Sequence, residues 1–195
     1  MRKILSKEEA ERRRKRNNTV LVIILGAVMV LSTLGFALQG RGDFSTASNS
    51  GTEVDYRGFK FLNQNGLWFL GNFTFTNTPY DITNQTTANI SIDLNPITSY
   101  QGVPVYVYSD DTSSEFEVGT NLALIAQRIQ KACPEGMNCS VGNLPIKNCT
   151  DNFIIIETSN ISSITQDNKC VYIRGPQENL VALTDQFLFK ILGIM

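Results

Sequence analysis

Few side chains in this sequence could carry out chemistry, and most of those that could are carboxylates. The chain has no histidine, which excludes Ser–His–Asp and Cys–His catalytic arrangements, and it has no glycine-rich phosphate-binding loop. Asp110 and Asp111 follow the β-branched and aromatic stretch 103–108, and Glu157 follows the apolar stretch 153–156. Carboxylates at the carboxyl ends of strands favour a Ca²⁺ or Mg²⁺ site.

These three carboxylates allow two hypotheses. In the first, Asp110, Asp111 and Glu157 serve a metal-dependent hydrolase. In the second, which we favour, they belong to a solvated acidic turn between a strand and a helix and bind no metal. We therefore assign no catalytic residue and no cofactor, and we expect a binding or structural module rather than an enzyme.

The cysteines are the second chemically informative group. Cys133, Cys139, Cys149 and Cys170 contain no C-x-x-C pair, which disfavours a zinc knuckle and a thioredoxin-like redox site. An even number of cysteines in an exported domain indicates two disulfides. Four cysteines allow three pairings. We favour Cys133–Cys139, which would close a turn after a helix, together with Cys149–Cys170, which would link the starts of two neighbouring strands.

Asparagine supplies possible modification sites, because an N-x-S/T sequon on an exported surface is an acceptor for N-glycosylation. Six sequons follow the apolar segment described below: Asn72, Asn84, Asn89, Asn138, Asn148 and Asn160. A seventh, Asn17, precedes that segment and is expected to stay unmodified on the cytoplasmic side.

The elements that position these groups begin with residues 19–38, an uncharged stretch of 20 residues. As a helix it would span roughly 30 Å, the thickness of the hydrocarbon core of a bilayer. We predict a retained transmembrane helix. The alternative is a signal peptide cleaved after Ala37, but the apolar region of a signal peptide is usually only about 7–15 residues long.

The charge distribution predicts the orientation of this helix. Residues 1–18 hold eight Lys and Arg against three acidic residues, whereas residues 19–195 hold nine against fifteen. Basic flanks stay in the cytoplasm, so we place the N-terminal tail inside and residues 39–195 outside. Because this topological role accounts for the basic cluster, we do not assign nucleic acid binding to it. Residues 39–53, rich in Gly, Ser, Thr and Asn, predict a flexible stalk.

Beyond the stalk, residues 54–75 contain many aromatic side chains separated by short polar breaks. The pair Asn65 and Gly66 is a strong hairpin signal. We predict two or three antiparallel strands here, forming an aromatic meander. In residues 76–100 we predict one short strand over 90–94 and loop elsewhere.

Two amphipathic helices are predicted in the second half of the chain. The first rests on apolar residues at i, i+3, i+4 and i+7: Leu122, Ile125, Ala126 and Ile129. Thr120 or Asn121 would cap it, and Pro134 would end it. The second follows Gly175, has Pro176 in its first turn, ends at Gly193 and carries the stripe Leu180, Leu183, Phe187, Leu188 and Ile191.

Three strands accompany these helices, at residues 103–108, 153–156 and 170–173. The stretch 153–156 is apolar on both faces, as in a buried central strand. The order strand–helix–strand–strand–helix predicts an α/β or α+β domain with a mixed sheet. Together with the meander it would form one domain over residues 54–195.

The basic tail, the stretch GAVMVLSTLGFAL, the aromatic meander and the C-terminal DQFLFKILGIM together resemble uncharacterised single-pass membrane-anchored envelope proteins of archaea. The resemblance implies an archaeal cell envelope and brings no catalytic residues. We expect a membrane-tethered module, outside the cell, that binds another envelope protein. The sequence assigns no oligomeric state.

Overall fold

A computed structural model describes residues 19, 20, 23–25, 29, 52–85, 89, 90, 93–139 and 142–195. The chain divides into two compact units, Met1–Asn49 and Ser50–Met195. The described residues of the first unit are helical and belong to the predicted transmembrane helix. The rest of that helix, the basic tail and the stalk up to residue 51 lie outside the described residues. Within the described part of the chain, no helix is long and apolar enough to cross a membrane.

In the second unit, the described residues form twelve strands and three α-helices. The strands are β1 (Glu53–Tyr56), β2 (Phe59–Gln64), β3 (Leu67–Leu70), β4 (Phe73–Phe75), β5 (Asn89–Ile90), β6 (Pro104–Ser109), β7 (Arg128–Lys131), β8 (Cys133–Pro134), β9 (Ile146–Lys147), β10 (Asn152–Thr158), β11 (Ser163–Asp167) and β12 (Cys170–Gly175). The helices are α1 (Pro79–Gln85), α2 (Thr112–Leu122) and α3 (Leu180–Ile191), with 3₁₀ turns at Ile97–Tyr100 and Gln177–Asn179.

The aromatic meander is a four-stranded antiparallel sheet with the order β1-β2-β3-β4. Asn65 and Gly66 both have positive φ values, 55° and 84°, which confirms the hairpin expected from that pair. Arg57 and Gly58, at 52° and 88°, form a second turn of the same kind. This second turn adds a strand, so the meander has four strands rather than two or three. It begins at Glu53, the last residue of the predicted stalk.

The central sheet is mixed, as predicted, with the order β5-β11-β12-β10-β6-β7. Strand β10 pairs in parallel with both β6 and β12, so that Phe153 lies opposite Tyr106 and Cys170. Residues 153–156 are all buried, which confirms the buried central strand. Strand β11 was not predicted. It pairs with β12 in an antiparallel hairpin whose turn contains Asn168 with φ 52°.

The helix predicted through Leu122 and Ile129 is wrong. Helix α2 ends at Leu122, and Ile129 lies in β7, which pairs in parallel with β6. Asn121 and Thr120 therefore lie within α2 rather than capping a helix, and Pro134 belongs to β8. The apolar period arose because Leu122, Ile125, Ala126 and Ile129 all contact the same core, from the end of a helix, a turn and a strand in succession.

Residues 76–100 also contain more structure than predicted. Helix α1 begins with Pro79, and Thr78 and Asp81 cap it reciprocally. The Asp81 carboxylate accepts from the Thr78 N–H at 2.8 Å, and the Thr78 hydroxyl accepts from the Asp81 N–H at 3.2 Å. Of the strand predicted over 90–94, the structure describes β5 at Asn89–Ile90, while residues 91 and 92 lie outside the described residues.

Helix α3 was predicted correctly except for its start, which is Leu180 and not Pro176. It lies between the two larger sheets. Ten of its twelve residues are buried, as expected of a helix covered on all sides. Toward the meander, the Phe189 ring lies 5.7 Å from that of Phe61 and 4.5 Å from that of Phe75, between centroids. On its other side α3 contacts β11 and β12 of the central sheet. The layers are therefore meander, helices α2 and α3, and central sheet.

A smaller apolar cluster covers the opposite face of the central sheet, since side chains alternate between the two faces of a strand. It consists of Tyr106, Ala132, Phe153, Ile155 and Cys170. Cys149, which is partly buried, packs against this cluster. Cys133 pairs with Cys139, and Cys149 pairs with Cys170, which is the pairing favoured from the sequence. The second disulfide links the residue shortly before β10 to the first residue of β12, so it joins two neighbouring strands.

Candidate functional site

The carboxylates singled out in the sequence lie at the carboxyl end of the central sheet, but neighbouring groups engage each of them. Asp111 caps α2: one of its oxygens accepts from the Ser114 N–H and hydroxyl, both at 2.7 Å. Its other oxygen accepts from the Gln177 amide at 2.8 Å. A carboxylate that caps a helix stabilises the fold, so Asp111 has a structural role here.

Asp110 and Glu157 are held in separate interactions. Asp110 accepts from the Tyr108 hydroxyl at 3.2 Å and from the Thr158 N–H at 3.3 Å. Glu157 pairs with Arg174 at 2.8 Å. Within the described residues, no group of three or more His, Cys, Asp or Glu side chains is placed to hold a metal ion. Asp110, Asp111 and Glu157 are therefore not part of such a group.

One cleft, of about 300 Å³, lies beside these carboxylates, at the ends of β6 and β7 and against the loop closed by Cys139. The Glu115–Lys131 ion pair, 2.8 Å long, lines it. Burial raises the pKa of Tyr108, another lining residue, and the Asp110 carboxylate raises it further. The charged residues that line this cleft already pair with one another or with neighbouring groups. The cleft therefore offers a ligand few unpaired charged groups.

A larger and more open cleft, of about 600 Å³, lies between the meander and the helices. We call it the Phe116 cleft. Its apolar lining residues are Leu67, Phe116, Val181 and Ala182. Phe116 is 71% exposed and Leu67 is 38% exposed. An exposed aromatic ring beside further apolar side chains is typical of a surface that contacts another molecule.

The charge of the Phe116 cleft is acidic. Among the described residues that line it, the charged ones are Glu117 and Glu178, and none is Lys or Arg. Glu178 is exposed, in the 3₁₀ turn before α3. Glu117 is nearly buried, on the face of α2 that meets the meander. An apolar ligand group with a neighbouring positive charge would therefore match this cleft.

Beneath the Phe116 cleft, side chains of α2 hydrogen-bond the free edge of β4. The Asn121 amide accepts from the Thr74 N–H at 2.9 Å and donates to the Thr74 carbonyl at 2.7 Å. The Glu117 carboxylate accepts from the Thr76 N–H at 3.0 Å and from its hydroxyl at 3.1 Å. These contacts satisfy backbone groups that an edge strand leaves unpaired.

Helix α3 adds a third contact through Asp185. One oxygen of this carboxyl group, Oδ2, accepts from the Asn77 N–H at 2.8 Å and from the Asn77 side-chain amide at 2.9 Å. The other, Oδ1, is buried and receives no hydrogen bond from any described group. Burial raises the pKa of Asp185 well above its ordinary value, and the neighbouring Glu117 raises it further. We call Glu117, Asn121 and Asp185 the β4 clamp.

None of the clamp residues was singled out from the sequence. Glu117 and Asn121 are four positions apart, a spacing that places them on one face of a helix, but the predicted helix was to be capped by Thr120 or Asn121, so Glu117 lay outside it. Asp185 stands between Thr184 and Gln186 in the C-terminal helix, outside its apolar stripe. Such a polar run is typical of an exposed helix face, so nothing in it indicated that the carboxyl group is buried.

The sequons lie at the surface wherever their side chains are described. Asn72, Asn84, Asn138, Asn148 and Asn160 are all exposed. The side chain of Asn89 is not described. Asn148 is engaged in the folded state, since its carbonyl oxygen accepts from the Thr150 hydroxyl at 2.8 Å.

Comparison of the chain with known protein families, with curated proteins and with solved structures finds no match. The resemblance to archaeal envelope proteins therefore stays a prediction.

Proposed function

We propose that residues 52–195 are an extracytoplasmic binding module that holds a partner protein in the Phe116 cleft. Residues 19–38 tether the module to the membrane, with the N-terminal tail in the cytoplasm. The observation that carries the proposal is Phe116 itself, a large aromatic side chain that is 71% exposed within an open, mostly apolar cleft. Buried aromatic anchors supply much of the binding energy at protein interfaces.

The occupant that fits this cleft is a segment of a partner protein with an apolar side chain next to Lys or Arg. The apolar side chain would cover Phe116 and Leu67, and the positive charge would meet Glu178. The excess of acidic residues after residue 18, fifteen against nine basic residues, favours approach of a basic partner.

The extracytoplasmic location has separate support. Two disulfides engage all four cysteines and fit an extracellular domain, because disulfides persist in oxidising compartments. The tether and its orientation rest on the uncharged stretch 19–38 and on the basic residues before it. An archaeal envelope and glycans on the exposed sequons are further parts of the proposal.

Site-specific crosslinking tests the docking site. A photoreactive benzoylphenylalanine would replace Phe116 in the full chain in its native membrane, and the same group at Ile161 would be the control. Ile161 is 73% exposed and lies in the turn between β10 and β11, outside the cleft lining. We expect an adduct with one protein from position 116 and not from position 161.

Two further readouts decide whether the adduct supports the proposal. Mass spectrometry should map the crosslink to a segment with an apolar residue beside Lys or Arg, and Glu178→Lys should reduce the yield at least about threefold. Equal labelling from both positions, an acidic crosslinked segment, a lipid adduct or a second copy of this chain would each contradict it.

A further inference from the structure

Asp185 occupies an unusual position for an acidic residue. Its exposed fraction is 0%, and it lies on α3 between two sheets. Both of its hydrogen bonds go to Oδ2, from Asn77, whereas Oδ1 receives none. A buried carboxylate oxygen without a donor carries a desolvation cost that folded proteins avoid.

The neighbour of Asp185 is a second carboxyl group. Glu117, only 8% exposed, binds the Thr76 N–H, and Asp185 binds the N–H of the next residue, Asn77. The two carboxyl groups are therefore neighbours, and Glu117 raises the pKa of Asp185. One oxygen of Glu117 contacts the Thr76 N–H and the other contacts the Thr76 hydroxyl. Two adjacent buried carboxyl groups cannot both ionise cheaply, and one retained proton removes the repulsion.

We propose that Asp185 and Glu117 share one proton, and that this proton holds the meander sheet on helices α2 and α3. We call the state in which the meander is held on the helices closed. In this state the proton is bound to Asp185, whose hydroxyl donates a hydrogen bond to the Glu117 carboxylate. The pair then has one negative charge, while Asp185 still accepts from Asn77. Loss of the proton leaves two negative charges in contact, and the β4 clamp opens.

The groups around Asp185 indicate that the proton shared with Glu117 sets the charge of this pair. Glu117 is the titratable group that faces Asp185 from α2, and the segment after β4 presents the uncharged Asn77. On α1, Asp81 is held by Thr78. The central sheet presents apolar side chains to α3. No described Lys or Arg contributes to the charge environment of Asp185.

The pH dependence has a defined sign. The folded-state pKa of Asp185 lies above its ordinary value of 3.8. The shared proton therefore stabilises the fold fully below that ordinary value, and this stabilisation is lost as the pH rises through the raised pKa. The clamp is closed in acid and opens toward alkaline pH, whether or not a partner occupies the Phe116 cleft.

Hydrogen exchange of the full chain in detergent micelles, followed by mass spectrometry between pH 5 and pH 9, tests the clamp. After correction for intrinsic exchange, we expect protection of residues 73–77 to fall at least about tenfold with rising pH while protection of β10 is retained. Asp185→Asn keeps an acceptor for Asn77 and supplies a permanent donor to Glu117. It should abolish the pH dependence.

Asp167→Asn, at the exposed last residue of β11, is the matched control and should behave like the native chain. If Asp185→Asn does not fold, Glu117→Gln removes the same repulsion and should also flatten the profile. An unchanged pH profile in the variant that folds would overturn the proposal. So would full protection of residues 73–77 in the native chain up to pH 9.

Discussion

Replacing Phe189 by alanine tests whether α3 joins the meander to the central sheet. Phe189 is fully buried, and its ring contacts those of Phe61 and Phe75. Truncating a buried Phe to Ala costs about 3–5 kcal/mol, and aromatic pairs contribute about 0.5–1.5 kcal/mol each beyond their area. Because two such pairs are lost, we expect the upper part of that range. A typical domain is stable by only about 5–15 kcal/mol.

Urea unfolding of the full chain in micelles measures this loss with two probes. The single tryptophan, Trp68, lies in β3, so its fluorescence reports on the meander, while circular dichroism reports on the helices. In the native chain both transitions should coincide, since the layers share one core. In Phe189→Ala both should shift together to lower urea concentration.

The control for this experiment is Phe116→Ala, which removes an exposed ring from the same molecule. It should change the free energy of unfolding by no more than about 0.5 kcal/mol. A loss below about 1 kcal/mol in Phe189→Ala would refute the packing argument. So would a tryptophan transition that shifts while the dichroism transition does not, because the meander would then be a separate unit.

The remaining predictions concern the disulfides, the carboxylates and the topology. Thiol counting on the denatured, unreduced protein should find no free cysteine, and replacing Cys149 and Cys170 by serine should cost about 2–4 kcal/mol in urea unfolding. Asp111→Ala removes the cap of α2 and should cost about 0.5–2 kcal/mol. Calorimetry of the native protein should show no Ca²⁺ or Mg²⁺ binding tighter than millimolar. Protease added outside intact cells should digest the chain beyond Gly40 and spare the N-terminal tail, whereas a protected C-terminus would reverse the topology.

The parts of the fold that were predicted correctly depend on local patterns. Residues 153–156 are apolar on both faces, and the Asn65–Gly66 pair demands positive φ values, so strand β10 and one hairpin follow from short stretches. Helix α3 carries an apolar stripe over its full length. The favoured disulfide pairing is confirmed, although Cys133 lies in β8 and not in a turn that follows a helix.

The misplaced helix shows where local patterns fail. Helix α2 carries the mixed sequence TSSEFEVGTNL, whose apolar period is weak because one face contacts β4 through polar groups. Asp111 caps α2 and so fixes where the helix starts. The sequence pattern instead favoured a solvated turn for this residue. The apolar residues after Leu122 contact the same core but lie in a turn and in a strand. Their spacing therefore matched a helical period although they form no helix.

Local sequence patterns could not predict the β4 clamp. Its contacts join positions far apart in the chain: Thr74 and Asn121 are 47 residues apart, and Asn77 and Asp185 are 108 apart. Hydrogen bonds between distant positions leave no periodic trace in a sequence. They become visible only when the sheet and both helices are assembled.

The most direct test of the proposed function is the affinity of the cleft for the segment captured by crosslinking. That segment, made as a peptide, would be titrated into the native chain, Phe116→Ala and the control Ile161→Ala. If Phe116 is the anchor, its loss should cost about 2 kcal/mol or more of binding free energy, which is about a 30-fold increase in Kd. Ile161→Ala should bind like the native chain. Equal binding by Phe116→Ala and the native chain, with both variants folded, would contradict the account.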